Sequence, residues 1–209
     1  MPSSQEGLAR LVERESLVDL RIVDAFRAVD RARFVPAHAA ADAYLDRPIG
    51  IPEEQTTSQP SLIARMLDAA APRAGDRALE VGTGYGFQTA LLSRLVDDVV
   101  SIERWPALAD AARANLDAAG VRNVEVVVGD GWRGVPDRAP FDVVVVSAAA
   151  DEVPAALGDQ LADGGRLVIP VRARLSDRVY LYVKEGARLR RRRLVSPARF
   201  VPLVRGDDG

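Results

Sequence analysis

Seven consecutive residues, Glu80-Val81-Gly82-Thr83-Gly84-Tyr85-Gly86, carry the strongest chemical signal in this chain. They follow a stretch that reads as a strand and open one that reads as a helix. Glycines at such a junction let the backbone turn sharply and approach a ligand closely. The spacing is Gly-x-Gly-x-Gly, not the Gly-x-Gly-x-x-Gly of pyrophosphate binding, and no Lys-Ser/Thr pair makes the turn a phosphate loop. Glu80 stands immediately before the turn, where a carboxylate suits the cationic end of S-adenosylmethionine better than a diphosphate. Two further acids fall where a nucleoside needs them. Glu103 ends the second strand and can take hydrogen bonds from both ribose hydroxyls. Asp130, in Gly129-Asp130-Gly131, follows the third strand within reach of an adenine amino group. Three acids at successive strand ends match the edge at which open α/β sheets bind ligands. A glycine-rich turn alone could equally be a tight strand-helix corner. Trp132 suits either an adenine pocket or ordinary core packing.

A second group of chemical interest is Thr57-Ser58-Gln59-Pro60. Its hydroxyls can donate hydrogen bonds to an incoming carboxylate. Ser before Pro is also a common helix start, so Ser58 reads first as a cap. Other residues take plainer readings. His38 lies in a polar loop region with no partners for a catalytic constellation. Arg190 to Arg193 sit on a predicted edge hairpin, where charge opposes edge-to-edge association. Glu53 and Glu54 either discourage acidic peptides or are solvated loop charges.

Composition narrows the chemistry. The chain has 209 residues, 48% hydrophobic and 28% charged, as in an ordinary folded domain with a real core. Net charge is −2, which argues against a nucleic-acid coat or a membrane-surface protein. Cysteine is absent and His38 is the single histidine, so disulfides, thiolate chemistry, Ser-His-Asp triads and multi-histidine metal sites are excluded, and no metal is expected. Of 28 basic residues only Lys184 is lysine. That skew reflects coding bias, so single arginines carry less meaning than usual. Met1 to Arg10 lacks a secretory pattern, and no run of about 18 apolar residues exists. A cytoplasmic protein is the expectation.

The elements that position these groups follow from periodicity. Leu17, Leu20, Val23 and Phe26 recur at helical spacing. From Ala39 to Gln59 the pattern fades into a loop marked by Pro48, Gly50 and Pro52. Pro60 opens a helix with Leu62, Ile63, Met66, Leu67 and Ala70 inward. Strands are expected at 77–81, 98–103, 124–128, 141–147 and 166–171, alternating with helices from the glycine turn, Pro106 and Pro154. That alternation means a mostly parallel sheet. Val179 to Val183, a Glu185-Gly186 turn and a second alternating run form an antiparallel hairpin at the sheet edge.

Read together, these motifs resemble the protein-L-isoaspartate O-methyltransferase family, from about Arg33 to Leu203. The resemblance rests on Phe34-Val35-Pro36, Tyr44 to Pro48, Gln55-Thr56-Thr57-Ser58-Gln59-Pro60, Glu80 to Ala90, Ser101-Ile102-Glu103-Arg104, Gly129-Asp130-Gly131, Ser147-Ala148-Ala149 and Arg199-Phe200-Val201-Pro202-Leu203. The Gln-Thr-x-Ser-x-Pro block separates this family from methyltransferases in general. The resemblance implies a doubly wound, Rossmann-like class I methyltransferase sheet with an N-terminal helical addition. It implies one domain over 1–209, with a helical and substrate-loop region at 1–75, a cofactor core at 76–171 and a hairpin and tail at 172–209. The implied activity is methylation of the free carboxyl of isoaspartyl residues in damaged proteins, the ester then collapsing to a succinimide. Ser58 and Thr57 take the methyl-transfer site. Glu80, Gly82, Thr83, Gly84, Glu103, Arg104, Gly129, Asp130 and Gly131 hold S-adenosylmethionine. The implied partner is a protein or peptide bearing isoaspartate, with no nucleic acid or membrane and a monomer as the simplest state. The Ile51-Pro52-Glu53-Glu54 stretch is longer and more acidic than the family loop. That leaves open a relative that methylates normal aspartyl side chains of a dedicated peptide. A nucleic-acid methyltransferase lacks support, since no Asn/Asp-Pro-Pro-aromatic block is present. A non-enzymatic binding protein of the same fold is the remaining reading.

Overall fold

A computed structural model describes residues 3–16 and 18–206. Leu17, the first residue of the predicted N-terminal stripe, lies outside the described residues. The N-terminal region holds two helices, α1 (Gln5–Ser16) and α2 (Leu20–Ala28). Asp19 caps α2 by accepting from the Arg21 N–H at 2.8 Å. Val23 and Phe26 bury as the periodicity requires, whereas Leu20, at the first helical position, stays exposed. Two short 3-10 turns follow, then a small antiparallel hairpin of β1 (Ile49–Ile51) and β2 (Gln55–Thr57) inside the predicted loop. Pro60 occupies the first turn of α3 (Pro60–Ala70), where its missing N–H costs nothing.

The alternating centre gives β3 (Arg77–Val81), α4 (Phe87–Leu92), β4 (Asp98–Glu103), α5 (Pro106–Ala118), β5 (Val124–Val128), β6 (Phe141–Val146), α6 (Ala155–Asp159) and β7 (Leu161–Val171). The long hairpin β8 (Asp177–Glu185) and β9 (Arg188–Ala198) ends the sheet. Strand order is β5-β4-β3-β6-β7-β8-β9, parallel through β7 and antiparallel beyond it. One expected boundary moves. The fifth parallel strand starts at Leu161, not Arg166, because pairing with β6 runs from Phe141 opposite Leu161, past a bulge, to Val143 opposite Arg166. Gly164 and Gly165 therefore lie inside a strand, in the manner of bulges.

Strand alternation divides the core. Ala78, Val143, Val145 and Val168 face a layer built from α1 to α4, including Leu8, Phe26, Met66 and Leu91. Leu79, Val81, Val144, Val146 and Ile169 face the other way, toward Leu157 of α6. The central strands β3, β4 and β6 are covered on both faces, which is why they read as continuous apolar runs. Strands β3 to β5 are laid down toward one edge and β6 to β9 toward the other, so the carboxyl ends of the parallel neighbours β3 and β6 form the switch point where open sheets bind ligands. Among the described residues no helix is long and apolar enough to cross a membrane.

Candidate active site

Gly82 follows β3 and Ser147 follows β6, so both stand at the switch point. Gly82 and Gly84 take φ values of 94° and 55°, the left-handed region that glycine enters without strain. The turn they form is one wall of a cleft enclosing about 990 Å³ of space, open solvent included. Thr57, Ser58, Gly82, Thr83, Gly84, Glu103, Arg104 and Gly131 all line it. Glu103 is fastened to the turn: Oε2 accepts from the Gly84 N–H at 2.8 Å and Oε1 from the Trp105 N–H at 3.1 Å. Burial pushes its carboxyl above the usual range, against the pull of those backbone donors. A desolvated acceptor facing a cleft calls for hydroxyl or ammonium donors from whatever fills it.

Three residues of the expected cofactor set do not line the cleft. Alternation along β3 sends Leu79 and Val81 to one face and Glu80 to the other, under α4. Glu80 is fully buried and accepts from Gln88 Nε2 at 3.0 Å, Ser101 Oγ at 2.6 Å and the Thr89 hydroxyl. Burial lifts its carboxyl to about 7, with those three donors opposing and Glu103 adding repulsion. It therefore braces the site from beneath instead of facing a sulfonium. Ser101 gives its one proton to Glu80, so Thr83, 2.6 Å away, donates to Ser101, and the brace reaches the glycine turn. Asp130 is the second residue outside the cleft lining. Its carboxylate accepts from the Trp132 N–H at 2.8 Å and from the Gly206 N–H at 3.0 Å. Gly129 is the third, packed behind Ile102, which does line the cleft. Trp132 packs on the core and donates from Nε1 to the Leu203 carbonyl at 2.8 Å, so it is not a cleft residue. His38 is exposed.

Gln88 was not expected. It is buried, yet it lines the cleft. Nε2 donates to Glu80 and, at 2.9 Å, to Ser147 Oγ. The carboxylate thereby fixes which end of the amide is the donor. Its Oε1 is left buried without a partner. An orphaned acceptor, a desolvated carboxylate and a glycine turn form a donor-hungry cradle, which fits the ammonium and ribose hydroxyls of S-adenosylmethionine.

The substrate side is held differently. Arg31 is wholly buried and donates to five oxygens. Nη1 reaches the carbonyls of Ala43 (3.1 Å) and Leu45 (2.9 Å). Nη2 reaches the carbonyls of Arg47 (3.1 Å) and Ser58 (3.2 Å) and Thr57 Oγ1 (2.9 Å). Its guanidinium also sits 5.6 Å from the Phe87 ring centre. Burial lowers its pKa to about 10, with Asp46 opposing, so it stays charged at neutral pH. One cation thus shapes the segment that carries Thr57 and Ser58. The skewed arginine content hid it, because nothing local distinguishes Arg31 from its neighbours.

Ser58 can now be judged as a cap. The N-cap of α3 is Gln59, and it makes no side-chain cap bond. The capping acceptor is Asp46, whose Oδ1 takes the Ser61 N–H at 2.8 Å while Oδ2 takes Gln59 Nε2 at 2.9 Å. The Ser58 hydroxyl is thereby left free of the helix. Ser58 lines both the main cleft and a second cavity beside it. Glu53 and Glu54, at the tip of the β1–β2 hairpin, line neither.

Known proteins carry the same architecture. The family described as protein-L-isoaspartate(D-aspartate) O-methyltransferase matches residues 3–208. A protein-L-isoaspartate O-methyltransferase of Koribacter versatilis (strain Ellin345) is 44% identical over 205 residues, covering 96% of this chain and 91% of that protein. A solved protein-L-isoaspartate O-methyltransferase superposes with a TM-score of 0.86 at 31% identity, covering 98% of this chain and 67% of that one. A putative Plasmodium falciparum protein-L-isoaspartate O-methyltransferase, solved in complex with S-adenosyl-L-homocysteine, has a TM-score of 0.85 at 22% identity, with coverage of 97% and 99%. With the match running through the substrate segment as well as the sheet, the chain belongs to the protein-L-isoaspartate(D-aspartate) O-methyltransferase family.

Proposed function

We propose that this chain transfers a methyl group from S-adenosylmethionine to the free carboxylate of L-isoaspartyl residues in damaged proteins, a repair reaction. The observation that carries the reading is the free Ser58 hydroxyl at the junction of the two cavities. When bound, the cofactor supplies an electrophilic methyl group. Everything else is alignment by the chain's own residues.

A carboxylate with a pKa near ~4 is already ionised at neutral pH, so no strong base is required. Ser58 donates a hydrogen bond that orients it. Thr57 accepts from Arg31, a pure donor, so its own proton remains available to the same substrate. Neutral hydroxyls hold the carboxylate without quenching its charge as an ion pair would. Fixed geometry of this kind is worth roughly 7–11 kcal/mol in a well-oriented reaction. Gly82, Thr83, Gly84, Glu103, Arg104 and Gly131 form the cofactor wall, with Gln88 bonded beneath it to Glu80 and Ser147. The brace of Glu80, Ser101 and Thr89 keeps the turn in shape. This reading treats 1–209 as one working domain, acting as a monomer. Dependence on S-adenosylmethionine favours a cytoplasmic location.

Two matched peptides, one isoaspartyl and one aspartyl, test the proposal with labelled S-adenosylmethionine. Preferential labelling of the isoaspartyl peptide is expected. Preference for the aspartyl peptide would replace repair with a dedicated peptide modification, and transfer to neither would overturn the substrate assignment.

A further inference from the structure

The second cavity encloses about 660 Å³ of space, open solvent included. Thr56, Ser58, Ser147 and Val201 line it and the main cleft alike, so the two meet at the proposed site of methyl transfer. Its other charged lining is of one sign: Arg65 on α3 and Arg199 just past β9, with no acid. Arg65 is half-buried, and its Nε is enclosed with no hydrogen-bond partner. Neither arginine joins an ion pair among the described residues. Arg31 also has an enclosed Nε without a partner, but its two terminal nitrogens meet five acceptors, and Arg166 pairs with Asp76. A guanidinium fork that presents unused donors to a cavity is matched by a carboxylate.

We propose that this cavity receives the substrate peptide beside its isoaspartyl residue, and that Arg65, assisted by Arg199, grips a second carboxylate of that peptide. The ligand class is an acidic side chain flanking the residue to be methylated. The inference rests on the methyl-transfer reading of Ser58. Arg65 lies five residues into α3 from Pro60, about 8 Å along the axis, which is the reach of roughly two extended residues. The gripped carboxylate therefore belongs to a near neighbour in the peptide. The reacting carboxylate stays with Ser58 and Thr57, with the Thr57 hydroxyl between it and the Arg31 guanidinium.

The test uses isoaspartyl peptides that differ only in carrying Glu, Gln or Lys at each of the two positions on either side. Steady-state methylation is measured with the wild type, Arg65→Gln and Arg65→Lys. At one position the wild type should favour Glu over Gln by about ten-fold in kcat/KM, through KM. Arg65→Gln should bring that ratio close to one, and Arg65→Lys should restore part of it. No Glu preference at any position overturns the proposal. So does an equal fall in kcat on all peptides with Arg65→Gln, which would put Arg65 on the reacting carboxylate or in the fold. Anisotropy of the same labelled peptides separates this from the function itself. Glu-selective binding that needs Arg65 supports the site even if no peptide is methylated. Equal binding of Glu and Gln peptides refutes it even where methylation is strong.

Discussion

The two walls of the cleft are rigid for different reasons. The cofactor wall is made of strand ends: Gly82, Glu103 and Gly131 sit where β3, β4 and β5 stop, and the ladder itself sets their spacing. The substrate wall has almost no ladder. Between Phe34 and Pro60 its regular structure is two three-residue strands and a short 3-10 turn. It takes its shape from Arg31 and Asp46, whose partners lie 12 to 27 and 13 to 15 residues away. A sheet holds a site by many weak repeated bonds, whereas a loop can be held by one buried charge. The first arrangement tolerates single changes and the second does not.

Substitutions can break or sharpen that contrast. Arg31→Met should do most damage. Removing one member of a buried charged network typically costs about 3–5 kcal/mol, readable as a shift in the urea midpoint. Turnover should fall further than cofactor affinity, because the cofactor wall keeps its ladder. A stability loss under about 1 kcal/mol would mean that the loop stands without its arginine.

Glu80→Gln probes the buried brace of the other wall. With its carboxyl lifted to about 7, the folded chain holds the Glu80 proton more tightly than the unfolded chain. Stability from this group is complete below the ordinary carboxylate pKa and is lost as pH rises through about 7. Between pH 5 and 8 the wild type should lose on the order of 2–3 kcal/mol more than the variant. Glu103 is also raised by burial, and its repulsion with Glu80 is absent from the variant, which adds to the difference. Matching urea stability profiles would remove Glu80 as a titrating brace.

A matched pair then separates binding from chemistry. Glu103→Ala should weaken S-adenosylmethionine binding by about 1–3 kcal/mol, measured calorimetrically. Ser58→Ala should lower turnover while leaving that affinity near wild type. Near-normal turnover would strip Ser58 of its role. The smallest effect is at the hairpin tip. Glu53 and Glu54 have φ of 59° and 55°, and the Gln55 N–H donates to the Pro52 carbonyl at 3.2 Å, the pattern of a type I′ turn that favours Asn-Gly. Glu54→Gly should stabilise the chain by about 0.5–1 kcal/mol in thermal melts. A loss would show that the glutamate makes a compensating contact.

The contrast also decides what could be read from sequence. β3, β4 and β5 match their expected bounds, because apolar runs and punctuating Gly and Pro are local signals. The glycine turn and Glu103 were legible for the same reason. Glu80 was placed on the wrong side because adjacency to the turn was weighed above strand alternation, which turns its side chain under α4. The bond between Asp130 and Gly206 leaves no local trace, because its two ends are 76 residues apart. Arg31 left no local trace at all. Its acceptors are mostly backbone carbonyls, and its residue type was discounted as compositional. Ser58 looked like a cap only because Asp46, the actual capping acceptor, is remote in sequence.

Four of the five oxygens held by Arg31 are main-chain carbonyls, of Ala43, Leu45, Arg47 and Ser58. Every amino acid carries that group. The grip is therefore indifferent to which side chains occupy positions 43, 45 and 47, as long as the backbone can follow the same path. Ala43 is bound by its burial and Asp46 by its cap on α3, but the side chains of part-exposed Leu45 and exposed Arg47 can change without moving Thr57 or Ser58.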